Sequence, residues 1–190
     1  RDVWIRLLLA RVETGEPYLL FIDRVNELKP EVYKALNLDV KTSNLCSEIT
    51  LATGKDHMDK DRTAVCCLSS LNFETYDEWK DNPIFIEDVM RFLDNVLQDF
   101  IDKAPPEMAK AIYSAQRERS VGLGVMGFHS FLQAKMIPFE SGMAKAWNNK
   151  LFKKIHEEVN NASRVLAEEK GPCPDAAEAG LMKRFANETA

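Results

Sequence analysis

A mixed α/β fold is what this sequence predicts, with buried strands in the first half and covering helices in the second. Three observations carry that reading. Before Phe73, short runs of apolar residues, Thr, Ser and Cys lie between turn residues and are too brief for helices. After Phe85, apolar residues recur three and four positions apart over long stretches. Across 190 residues, 45% are hydrophobic and 29% charged, an ordinary globular balance that excludes a fully disordered chain.

Taken in order, Trp4–Val12 has helical spacing and stops at Gly15-Glu16-Pro17. The run Tyr18–Ile22 is bounded by turn residues and reads as a buried strand. Beyond the polar stretch through Asn37, Thr42–Leu51 and Thr63–Phe73 read as strands or extended segments, joined by a solvated connection over Lys55–Arg62. Phe85, Val89, Leu93, Val96 and Phe100 form one apolar helical stripe that ends before Pro105-Pro106. Pro106 opens the next helix, which runs towards Arg119. A Gly-rich passage over 122–127 interrupts it, and a helix resumes at Phe128 and runs to Pro138. The longest helix carries Met143, Trp147, Leu151, Ile155, Val159, Ala162 and Leu166 and ends at Gly171-Pro172. The tail from Pro174 has no strong pattern.

Charge and cysteine usage narrow the function classes. Twenty-five Lys and Arg against 30 Asp and Glu give a net charge of −5, contrary to a dedicated nucleic-acid binder, which needs clustered cations. Four Cys are too few for a disulfide-stapled secreted scaffold. No apolar run reaches the roughly 20 residues that span a bilayer. The chain opens at Arg1 in what reads as mid-helix, without a signal peptide, and reads as an internal fragment, residues 1–190 being part of one larger domain.

Three motifs bear on chemistry. Gly122-Leu123-Gly124-Val125-Met126-Gly127 matches the dinucleotide-binding G-x-G-x-x-G pattern, but a strand should precede it and Gln116–Ser120 does not read as one. Its glycines read instead as a tight helix entry and close backbone packing. His57, His129 and His156 are not at metal-ligand spacing and no Cys pair is C-x-x-C, so no metal site is expected. Asn44, Cys46 and Glu48 alternate. In an extended chain they share one face, successive members roughly 6.5–7 Å apart, and offer a hydrogen-bond anchor, a reactive sulfur and a base. The same alternation describes a half-buried strand with a polar face to solvent. Adjacent Cys66 and Cys67 point to opposite faces of a strand, so at most one can share a pocket with Cys46. Cys67 and Cys173 read as small buried hydrophobes.

Ser43–Ile49 followed by Val65–Asn72 resembles the catalytic large subunit of class I ribonucleotide reductase. Arg119–His129 and Gly15-Glu16-Pro17-Tyr18 fit that family in order, and the likeness runs along most of the chain while covering a central stretch of the full subunit. The resemblance implies part of a ten-stranded α/β barrel, two five-stranded parallel halves running antiparallel, with a finger loop at its centre. It implies Cys46 as the transient thiyl radical that removes the ribose 3′-hydrogen, Glu48 as acceptor of the 3′-hydroxyl proton and Asn44 as an orienting hydrogen bonder, with Leu45 and Ser47 also against the substrate. Cys66 aligns with one of two reducing cysteines, whose partner is expected upstream of Arg1.

It implies further that a metal-containing small subunit supplies the radical, that thioredoxin or glutaredoxin is the reductant, that the full subunit forms a homodimer, and that the enzyme is cytoplasmic and allosterically regulated by nucleotides such as ATP. No cofactor is expected on this chain itself. Alone, the chain is expected to be inactive and poorly soluble, since a partial barrel exposes strand edges and apolar helix faces. The alternatives are a cobalamin-dependent reductase of the same superfamily and a non-catalytic helical interaction domain whose cysteines only pack.

Overall fold

Capping and turn residues divide the chain before packing is considered. Gly15, in the left-handed region at φ 82°, ends α1 (Asp2–Thr14) by donating its N–H to the Arg11 carbonyl. In the computed structural model, which describes residues 1–189, two short helices follow, α2 (Ile22–Glu27) and α3 (Glu31–Ala35). A small hairpin, β1 (Gly54–Lys55) and β2 (Asp61–Arg62), leads to β3 (Leu68–Asn72). Then come α4 (Tyr76–Trp79), α5 (Phe85–Lys103), α6 (Ala109–Glu118), β4 (Val121–Met126) and α7 (Phe128–Ala134). The chain continues through α8 (Gly142–Lys170), α9 (Pro174–Glu178) and β5 (Glu188–Thr189).

Parallel strands need a crossover, and α4 to α6 supply it between β3 and β4. The sheet is parallel throughout in the order β3-β4-β5, with Leu68 opposite Gly122 and Asn72 opposite Met126. Leu71, Val121 and Leu123 carry the sheet into the main core, where Ile86, Met90, Leu93 and Leu97 of α5 meet Leu151, Ile155, Val159 and Leu166 of α8. Phe73, Tyr76, Trp79 and Phe131 close one end as an aromatic cluster, with Tyr76 and Trp79 edge to face at 5.0 Å. Ser141 caps α8, its Oγ accepting the Ala144 N–H at 3.1 Å. A second, smaller core gathers Val32, Tyr33, Leu38, Val40, Leu51 and Ala176.

Several expected elements differ. Tyr18–Ile22 is not a strand: Tyr18 and Phe21 are exposed and Ile22 starts α2, because among the described residues no neighbouring strand offers that run a ladder. Of the expected α5 stripe, Leu93 is buried and Phe85, Val89 and Phe100 pack against the core, but the most buried line is Ile86-Met90-Leu93-Leu97, and Val96 and Phe92 are left outside. So much of that helix is apolar that periodicity defines several stripes, and packing against α8 selects among them. Gly122 and Gly124 lie within β4 and do not interrupt a helix; Gly127 (φ 74°) is the helix entry, and a Cβ there would run into Asn72 and Glu74. The Lys55–Arg62 connection is a hairpin whose last residue is buried.

Two buried ionic clusters hold these pieces together. Asp94 on α5 accepts from Arg119 Nε at 2.8 Å, Arg184 Nε at 2.9 Å and Lys170 Nζ at 3.0 Å. Burial alone would raise its carboxyl, but Arg184, Arg119 and Lys170 hold it below the ordinary range. Arg62 grips Asp175 through a fork at 2.5 and 3.1 Å and reaches Asp56 at 3.0 Å. By contrast α1 buries nothing: Val3, Trp4, Ile5, Leu8, Leu9 and Val12 are all exposed.

Candidate active site

The segment Ser43–Ile49 folds as a self-tied loop. Asn44 and Ser47 close a turn, the Ser47 N–H donating to the Asn44 carbonyl at 3.1 Å, and Ser47 sits in the left-handed region at φ 67°. Ser43 Oγ donates to the Ile49 carbonyl at 2.7 Å, while Asn44 Oδ1 accepts the Ile49 N–H at 3.1 Å. The extended backbone expected here is therefore replaced by a turn. The short polar side chains of Ser43 and Asn44 offer the backbone local partners that compete with a ladder. Leu45 stands 85% exposed at the tip, with Asn44, Cys46 and Glu48 also exposed around it.

Beside this loop, Cys66 precedes β3. Strand alternation separates the vicinal thiols: Cys66 is exposed, whereas Cys67 is buried and its Sγ donates to the Leu93 carbonyl at 3.5 Å. Burial pushes the Cys66 thiol up, and the nearby charges of Glu48 and Cys46 act in the same direction. Cys46, Glu48 and Cys66 therefore share one electrostatic neighbourhood. Cys173 lies in the interior, its thiol pushed up to about 12 by burial, and is inert as a nucleophile.

A cavity of about 310 Å³ opens between the loop and the sheet. Glu48–Leu51 form one wall, Val65–Ser70 and Ser120–Gly124 the others, with Asn187 at the rim. Its size is at the small end of ligand sites, and its hydroxyls and amide could bind a polar ligand. Glu48 and Cys66 line it directly; Cys46, Asn44, Leu45 and Ser47 lie on the adjoining loop. Ser69, Ser70, Ser120 and Asn187 were not singled out from sequence. Ser69 and Ser70 lay within Val65–Asn72 and Ser120 within Arg119–His129, both stretches that carry the resemblance; Asn187 had no local signal, since the approach to β5 brings it in from far along the chain. Among the described residues no cluster of three His, Cys, Asp or Glu is arranged to hold a metal. No described helix is long and apolar enough to cross a membrane.

Comparison with known proteins matches this architecture. Residues 1–188 match the family model "Ribonucleotide reductase, barrel domain". The ribonucleoside-diphosphate reductase large subunit of Invertebrate iridescent virus 3 is 46% identical over 189 residues, all of this chain and 29% of that protein. The large chain of Schizosaccharomyces pombe is 32% identical over 172 residues, covering 90% of this chain and 20% of its own length. The Actinobacillus ureae class Id ribonucleotide reductase alpha subunit superposes with a TM-score of 0.90 at 41% identity, covering 100% of this chain and 35% of its own. The chain thus spans under a third of the length of the curated relatives it matches first. With its α/β core, its loop-borne cysteine and a family match over nearly its whole length, this chain belongs to the ribonucleotide reductase barrel-domain family.

Proposed function

We propose that the chain is the central part of the catalytic barrel of a ribonucleoside-diphosphate reductase large subunit and carries the loop that starts ribose reduction. The observation that carries this reading is that Glu48 and Cys66, from two segments apart in sequence, line one cavity, with Cys46 on the loop that adjoins it. The three-stranded sheet is then one part of a ten-stranded barrel completed by the rest of the subunit.

Cys46, as a thiyl radical, takes the 3′-hydrogen of the ribose. Glu48 accepts the 3′-hydroxyl proton, and Asn44 orients that exchange by hydrogen bonding to the sugar hydroxyls, with Leu45 and Ser47 shaping the same contact. Cys66 acts with a second cysteine from elsewhere in the subunit. One thiol of the pair protonates the departing 2′-oxygen, which leaves as water, and the other gives a hydrogen atom to C2′. The disulfide radical anion so formed passes one electron to the 3′-ketone as Glu48 returns its proton to O3′, leaving a disulfide. The raised Cys66 thiol suits this role, because it stays protonated near neutral pH. The Cys46 thiol returns its hydrogen to C3′ and the radical is regenerated. An enclosed barrel keeps solvent from the radical.

The working enzyme then needs a separate radical-generating, metal-containing small subunit, and thioredoxin or glutaredoxin to reduce the disulfide. Its large subunit acts as a cytoplasmic homodimer under allosteric nucleotide control. The relatives' names support this class over the cobalamin-dependent one. In the complete subunit with its radical partner, Cys46→Ser is expected to abolish turnover and keep nucleotide binding. Glu48→Gln slows the early ribose step more than binding, and Cys66→Ser stalls reduction of the sugar intermediate. Turnover retained by Cys46→Ser would overturn the reading.

A further inference from the structure

Glu118 ends α6 and is 2% exposed, yet both its carboxyl and its main-chain carbonyl accept hydrogen bonds. Its Oε2 accepts from the Tyr33 hydroxyl and from Ser120 Oγ, the latter at 3.2 Å. The Tyr33 oxygen in turn accepts the Ala52 N–H at 3.2 Å. The Glu118 main-chain carbonyl accepts the Ala186 N–H at 2.7 Å. Each end point adjoins a stretch of the cavity wall. Ala52 follows Glu48–Leu51, Ser120 opens Ser120–Gly124, and Ala186 precedes Asn187.

We propose that Glu118 is a positioning residue for the ribose chemistry, its carboxyl holding two walls of the cavity in register through Tyr33 and Ser120 while its main-chain carbonyl ties in the segment before Asn187 at the rim. The inference rests on the roles given above to Cys46, Glu48 and Cys66. Through Tyr33, Glu118 sets where the loop stem leaves the core, and so where Glu48 and Cys46 stand relative to Cys66. Sub-ångström placement matters there, because a hydrogen-atom transfer and a proton transfer must address the same sugar.

Packing alone does not call for a carboxyl at this point. Burial pushes Glu118 up to about 7; the Tyr33 hydrogen bond, the Arg62 charge and the Ser120 hydrogen bond offset part of that, and Asp175 opposes them. An apolar side chain of similar volume would avoid the desolvation cost, but it would accept nothing from Tyr33 or Ser120. Tyr33 is itself raised by burial and by Glu118, so it remains a hydrogen-bond donor at neutral pH.

The test uses the complete subunit with its radical-generating partner. Tyr33→Phe keeps the ring and deletes the link to Ala52. Its kcat per folded subunit is expected to fall roughly 10- to 100-fold with KM little changed. In the same variant, without turnover, iodoacetamide should alkylate Cys46 faster than in the parent, because the loop stem is freed. Glu118→Gln retains an oxygen able to accept from both hydroxyls and should keep most of the activity that Glu118→Leu loses. A lower melting temperature with unchanged kcat per folded subunit and unchanged Cys46 alkylation in Tyr33→Phe would overturn the proposal, as would equal losses in Gln and Leu. Turnover persisting in Cys46→Ser would instead strike the radical reading, and the alkylation rate would still judge the positioning role.

Discussion

The two sides of the cavity are built by opposite means. The β3–β4 side is a continuous parallel ladder from Leu68–Gly122 to Asn72–Met126, backed by α5 and α8 and pinned by the Asp94 cluster. The Ser43–Ala52 side has no ladder and hangs on bonds from Ser43, Asn44 and Tyr33. Ladder and core fix the sheet wall cooperatively, so damage there should appear as lost stability. The loop is held by single bonds, so damage there should appear mainly as lost geometry, and hence lost turnover, with little change in melting.

The strongest way to break this contrast is Asp94→Ala in the complete subunit. It leaves Arg119, Arg184 and Lys170 facing one another without their shared carboxylate, and is expected to cost about 3–5 kcal/mol by denaturant unfolding. A second test uses pH. Glu118 is raised to about 7 from an ordinary 4.5, so the folded state holds its proton more tightly than the unfolded state. Its contribution is therefore full below the unfolded value and is lost as pH rises through the folded one. Stability should fall by a few kcal/mol between those limits, and Glu118→Gln should flatten the slope in that window alone. Asp94 has the opposite sign: its contribution is lost only as pH falls below the ordinary carboxylate range.

Gly127→Ala tests the turn at the end of the sheet wall. It places a side chain in the left-handed region and against Asn72 and Glu74, at an expected cost of about 1–3 kcal/mol read as a lower melting temperature. The smallest thermodynamic effect is expected for Ser43→Ala, about 0.5–1.5 kcal/mol for one hydrogen bond. Its turnover should nevertheless fall by more than that of Gly127→Ala per unit of lost stability. The reverse ranking would erase the distinction between platform and loop.

Much of this arrangement was legible in the chain. The ends of α1 and α8 follow from Gly15 and Gly171, the opening of the α6 region from Pro106, and the separation of Cys66 from Cys67 from strand alternation. Each is local, set by the φ a residue can adopt or by the period of its neighbours. The same local logic misplaced Tyr18–Ile22 and, within an α5 stripe otherwise set against the core, Val96. A short apolar run becomes a strand only if a partner lies alongside, and a widely apolar helix buries whichever face its neighbour covers. It also made Asn44, Cys46 and Glu48 an alternating strand face where a turn forms.

What the sequence determined by itself is therefore the inventory and its punctuation: an α/β chain, helix limits at glycine and proline, and the cysteine-bearing motifs that mark the family. Tertiary structure alone decided which residues share a site. Arg62 with Asp175, Asp94 with Arg184, and Tyr33 with Glu118 are pairings between distant segments. No local period encodes them, because each depends on how the sheet and helices pack. Once buried, these polar groups must find partners, and that requirement brings the loop, β4 and the segment before β5 together around one cavity.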